Sequence, residues 1–220
     1  MGGAELIPEQ AGRVYDRIGR FQDWQRFYEG PATASLIAHA DFEHAQSVYE
    51  LGCGTGAMAV NLLDQHLAPS ATYTGVDVSN KMVQHATRRL ARFGNRASVQ
   101  LVNGYPPLPG NAATFDRFIS LYVFGLLTES LAHDLLDQAR RLLTSNGRLC
   151  LVSLTHPTTR PSRALCAAWN QAWRLSPATV GGCRPIDLID LLDGWHIEHT
   201  DTTVAWAVPS QIVTATPQAG

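Results

Sequence analysis

The sequence predicts an α/β protein built on a doubly wound, mostly parallel sheet, and three observations predict it. Short apolar runs alternate with longer stretches of helical composition between residues 47 and 154. The first run ends in Gly52, Gly54 and Gly56, where a strand must turn sharply into a helix. The second ends in an acidic residue, Asp77, about 20 residues beyond those glycines.

Each element has its own signal. Residues 9–39 mix helix formers with Tyr15, Phe21, Trp24, Phe27 and Tyr28 at amphipathic spacings, and Gly30-Pro31 predicts a break between two helices. Residues 48–51 predict a strand and 57–66 a helix; a second unit follows as strand 72–78 and helix 80–93, then strand 98–102. Phe115-Asp116 opens a fourth strand over 117–122, and leucines at helical spacing predict a helix over 130–143. Asn146-Gly147 predicts a turn before a fifth strand, 148–154. Helices are expected over 163–175 and 185–192, then strands over 195–200 and 211–216. A chain of 220 residues suits one unit. Its expected parts are a helical cap (1–46), a core (47–157) and a final part (158–220).

Composition narrows the function classes. With 45% hydrophobic and 16% charged residues the chain is expected to pack a sizeable core. Its 17 basic and 19 acidic residues are scattered, so no cationic face for nucleic acid is expected. Cys53, Cys150, Cys166 and Cys183 form no CxxC pair and no zinc spacing, which fits a reducing cytoplasm and no metal. No apolar stretch is long enough for a bilayer, and no basic and apolar leader pattern stands at the start.

The chemistry is expected where the strands end. Glycines at 52, 54 and 56 permit unusual dihedrals and close approach of a ligand to the backbone. Asp77 is placed to accept from both hydroxyls of a ribose; its competing role is to cap the next helix, for which Ser79 and Asn80 stand closer. Leu121 and Tyr122 end the fourth strand in the crevice where open α/β sheets bind ligands, and Tyr122 is a candidate catalytic residue. His156, after the fifth strand, is a candidate general base, with a backbone-bonded loop histidine as its bland alternative. His133, His196 and His199 read as packing or surface groups. The Trp169 and Trp173 pair and Arg184 are candidates for holding an apolar or anionic substrate, against simple burial or exposure.

Glu50-Leu51-Gly52-Cys53-Gly54-Thr55-Gly56 with Asp77 resembles the first motifs of class I S-adenosylmethionine-dependent methyltransferases. Val102-Asn103-Gly104, Leu108-Pro109, Thr114-Phe115-Asp116 and the run from Leu143 to Leu149 are similar to that family's later strand regions, so the resemblance covers residues 48–154. It implies a Rossmann-like sheet of seven strands, the last antiparallel. It also implies S-adenosylmethionine as cofactor and no metal. Glu50 and the glycine turn would then lie by the methionine part, with Cys53, and Asp77 and Val78 by the ribose. Asn103, Gly104 and Met82 would lie by the adenine, where Tyr105 stacks or merely packs. The family often has aspartate at position 103; asparagine still accepts through its carbonyl, and Asn-Gly is also a common turn. The menaquinone and ubiquinone type and the phospholipid N-methyltransferases are the nearest branches. They imply a small apolar or lipid-like acceptor, held by residues 1–46 and 158–220. Two rivals stand beside this reading: a protein that binds the cofactor without methylating, and a nicotinamide-dependent oxidoreductase, whose fingerprint wants GxGxxG where position 57 is alanine.

Overall fold

Four of the five residues of β1 (Ser47–Leu51) are buried, as in a strand covered on both faces. The structure, a computed structural model, describes residues 22–157 and 184–218, with backbone alone for 22–28. Val48 packs on the side of α1 (Gln22–His39), α2 (Ala57–Gln65) and α3 (Asn80–Leu90). Tyr49 and Leu51 pack on the other side, against α4 (Glu129–Leu142).

The sheet continues with β2 (Thr72–Asp77), β3 (Ala97–Leu101), β4 (Phe115–Leu121), β5 (Leu143–Leu154), β6 (Trp195–Ala205) and β7 (Val208–Pro217). Seven strands lie in the order β3-β2-β1-β4-β5-β7-β6. β1 to β5 are parallel, and β7 runs antiparallel between β5 and β6. The seven-stranded, doubly wound, Rossmann-like arrangement expected from the sequence is what forms. Chain order reverses between β1 and β4, so their carboxyl ends flank the crevice in which such sheets bind ligands.

Local chemistry sets the helix starts. Ser79 accepts from the Met82 N–H at 3.2 Å and Thr128 from the Leu131 N–H at 3.2 Å, capping α3 and α4. Three sequence expectations need correction. Gly30-Pro31 does not divide two helices; α1 runs through it with Pro31 inside. Ala32, Leu36 and Ala40 line one wholly buried stripe, whose packing offsets the missing proline hydrogen bond. Asn146-Gly147 is no turn before β5 but an irregularity within it: Phe115 pairs with Leu143 and Arg117 already with Arg148. Residues 185–192 form only a short 3-10 turn, Ile189–Leu191. Their donors are taken elsewhere, Ile186 N by Leu154 O at 2.9 Å and Leu188 N by Gln211 Oε1 at 2.7 Å.

The end of α1 is fixed to the sheet by Arg117. Its guanidinium donates to the carbonyls of Ala40 and Asp41, each at 2.5 Å, and to Asp116 O at 2.8 Å. Arg117→Ala is expected to lower stability by about 1–3 kcal/mol for each carbonyl it orphans. Urea unfolding should then show a lower midpoint with an unchanged slope.

Candidate active site

The turn after β1 is stapled to β2. Gly52 N and Cys53 N both donate to Val76 O, at 2.8 and 3.0 Å, and Gly54 N donates to the Asp77 carboxylate at 2.8 Å. Gly52 and Gly56 hold φ of 76° and 74°, the left-handed region that favours glycine. A Cβ on Gly52 would stand 2.3 Å from Val123 Cγ2. One on Gly56 would stand 3.2 Å from the Ala86 backbone, where α2 and α3 approach closely.

Two carboxylates end the first two strands. Glu50 is 2% exposed and accepts from the Tyr73 hydroxyl at 2.5 Å. Burial pushes its carboxyl up to about 7; the Tyr73 hydrogen bond opposes the rise and the Asp77 charge adds to it. Asp77, 7% exposed, accepts from Gly54 N through one oxygen and from Ser79 N, at 2.8 Å, through the other. Burial raises the Cys53 thiol well above its ordinary range, with the charges of Glu50 and Asp77 acting in the same direction. It stays a neutral thiol.

A cavity of about 790 Å³ opens between α1, α2 and this turn, within the size range of small-molecule sites. Glu50, Gly52, Cys53, Gly54, Leu121 and Tyr122 line it together. Tyr122 has φ of 58°, unusual for a tyrosine, and its hydroxyl lies 3.0 Å from Ser210 Oγ.

The segment 48–147 matches the protein family described as "Methyltransferase domain", on a sheet of the order given above. That segment, 100 of the chain's 220 residues, is similar to a class I S-adenosylmethionine-dependent methyltransferase domain. A demethylmenaquinone methyltransferase of Tropheryma whipplei (strain Twist) is 35% identical over 112 residues, which are 51% of this chain and 43% of that protein. The match thus spans less than half of that relative's length. Among solved structures, the [4+2]-cyclase SpnF superposes with a TM-score of 0.70 at 14% identity over 100% of both chains. Magnesium protoporphyrin IX methyltransferase (ChlM) from Synechocystis PCC 6803, with S-adenosylmethionine bound, gives 0.65 at 19% identity over 99% of this chain and 100% of that one. At such identities these likenesses show the fold.

The other expected residues that the structure describes stand apart from the main cavity. Val78 is half-buried beyond β2, and Met82 is 1% exposed in the first turn of α3. Asn103 Oδ1 accepts from Tyr105 N at 3.0 Å, closing an Asx turn about Gly104, whose φ is 82°. Asn103 lines a second cavity of about 640 Å³ with Leu101, Pro107, Leu108, Pro109 and Arg141. Tyr105 is 37% exposed. His156 is exposed just beyond β5 and is not among the residues lining the main cavity. Arg184 donates to Leu127 O at 2.9 Å. His199 stacks on His39 with ring centroids 3.6 Å apart, a packing role. Trp169 and Trp173, Tyr15, Phe21 and the predicted helix over 163–175 lie outside the described residues, as do the side chains of Trp24, Phe27 and Tyr28.

Sequence reasoning passed over Tyr73, which reads as one more apolar strand residue. Its importance follows from register: Glu50 pairs with Gly75, two residues along β2 from Tyr73.

Two outcomes are expected here. Gly52→Ala places a methyl group against Val123 on an unfavourable φ and should weaken binding of S-adenosylmethionine at least ~10-fold, by calorimetry. Because the folded protein holds the Glu50 proton more tightly than the unfolded chain does, stability should fall as pH rises from about 4.5 to about 7. Glu50→Gln should flatten that slope in ligand-free urea titrations.

Proposed function

We propose that the chain transfers a methyl group from S-adenosylmethionine to a small apolar or lipid-like molecule. The observation that carries this is the pair of buried carboxylates, Glu50 and Asp77, on either side of the glycine turn at the ends of β1 and β2. The donor set fits the cofactor: a buried carboxylate suits its ammonium and sulfonium charges, and a second one at a strand end suits a ribose diol. Bound there, S-adenosylmethionine supplies an activated methyl group to an acceptor lone pair or carbanion.

Glu50 would hold the methionine ammonium, with Cys53 and the backbone of Gly52, Gly54 and Gly56 beside it. Asp77 and Val78 would hold the ribose. Asn103, Gly104, Tyr105 and Met82 would bound the adenine, with the Asx turn fixing the Asn103 side chain. Leu121 and Tyr122 would separate the donor from the acceptor. Methyl transfer is accelerated chiefly by alignment, so these residues act by positioning and by excluding water. For an acceptor that must lose a proton, His156 at the end of β5 is the base proposed.

The apolar acceptor is supported by part of the cavity wall, to which α1 contributes Ala34, Ile37 and Ala38 and α2 Met58 and Val60, beside polar residues of the same helices such as Thr33, Asn61 and Asp64. It is also supported by the relative named for demethylmenaquinone, whose acceptor is a quinone. Incubation with methyl-labelled S-adenosylmethionine and a metabolite extract should give a labelled, organic-extractable product. Tight binding without any labelled product would instead establish a protein that holds the cofactor without transferring from it. Asp77→Ala should weaken cofactor binding by about 1.5–3 kcal/mol, the worth of hydrogen bonds to a charged group, as read by calorimetry.

A further inference from the structure

Tyr73 and Glu50 belong to neighbouring parallel strands, and their side chains meet because of what lies between them. Glu50 is registered opposite Gly75, and Tyr73 precedes that glycine by two residues, on the same face of β2. A Cβ built on Gly75 would lie 2.7 Å from the Tyr73 hydroxyl and 2.9 Å from Cys53 Cβ. The absent side chain is the space through which the phenol reaches the carboxylate. Tyr73 is 1% exposed, and burial together with the Glu50 charge holds its phenol well above the ordinary range. Across the physiological range it therefore remains a donor.

We propose that Tyr73 is a positioning residue for methyl-donor binding, its hydroxyl reaching across Gly75 to hold the Glu50 carboxylate ionised and fixed at the cavity wall. The proposal rests on the reading that Glu50 receives the donor's ammonium group. A carboxylate this buried loses its charge readily, and only the charged form attracts that cation. The hydrogen bond from Tyr73 opposes the loss, whereas the neighbouring Asp77 promotes it. The other titratable groups on the cavity wall are Glu29, Cys53, Asp64, His66 and Tyr122.

The test is calorimetric binding of S-adenosylmethionine to the full chain across a pH series, for the wild type, Tyr73→Phe, Gly75→Ala and Glu50→Gln. Tyr73→Phe should bind about 10-fold more weakly at about pH 6, with the deficit shrinking toward parity by about pH 8.5, because the variant carboxylate ionises later. Gly75→Ala keeps the hydroxyl but displaces it, and should show the same pH-dependent deficit. A deficit constant across pH, or none in Tyr73→Phe, overturns the proposal while leaving the donor site intact. Binding by Glu50→Gln equal to that of the wild type overturns both the proposal and the assignment of Glu50 beneath it.

Discussion

Burying a carboxylate at the end of a central strand is costly, and much of the site is arranged around that cost at Glu50. An isolated buried charge would be neutralised by its own pKa shift. Here the carboxyl is shifted to about 7 rather than silenced, because the Tyr73 hydroxyl supplies a short hydrogen bond. The second carboxylate, Asp77, accepts from two backbone N–H groups, of the glycine turn and of the start of the next helix. Main-chain donors thus contribute at Asp77, whereas Glu50 takes its hydrogen bond from a side chain. Gly75 leaves the space through which Tyr73 reaches Glu50, and Gly52 leaves room for Val123, since a methyl group at either would lie well inside contact distance.

The scaffold determines where this pair opens. Reversal of chain order between β1 and β4 leaves a crevice at their carboxyl ends, and the glycine turn and Leu121 with Tyr122 line it. α1 closes one side of the cavity, and its position depends on Arg117 at the opposite end of the sheet, which bonds the carbonyls that follow the helix. A contact remote from the crevice therefore helps to shape it. Tyr122 leaves β4 with a positive φ, and its backbone N–H bonds Val152 O at 2.7 Å while its hydroxyl reaches Ser210 on β7. Such locally unfavourable backbone persists only where surrounding bonds over-determine it, as they do here.

The same frame carries a cyclase and a methyltransferase among solved structures of comparable likeness. What distinguishes chemistries on this frame is the site, not the sheet. In this chain the glycine turn and its two carboxylates are short, local pieces at strand ends, whereas the rest of the cavity wall draws on α1 and α2.

The alternation of apolar runs and helical stretches, the spaced glycines and the acid about 20 residues later determined the sheet, its parallel core and the glycine turn, because those features are local and each strand end carries its own signature. The Ser79 cap, weighed in the sequence against Asp77, was legible for the same reason. Other features were decided only by tertiary structure. Pro31 stays inside a helix because Ala32, Leu36 and Ala40 gain burial against the sheet. Asn146-Gly147 became part of a strand because β4 lies beside it. Residues 185–192 gave their donors to β5 and to Gln211 instead of to a helix. The Glu50 partner belongs with these. Nothing in the sequence around Tyr73 marks it as polar machinery, and only the register that sets Glu50 against Gly75 brings a buried phenol to a buried acid. Local pattern fixes which elements form; pairing across elements fixes which side chains meet, and that depends on packing free energies no short stretch of sequence contains.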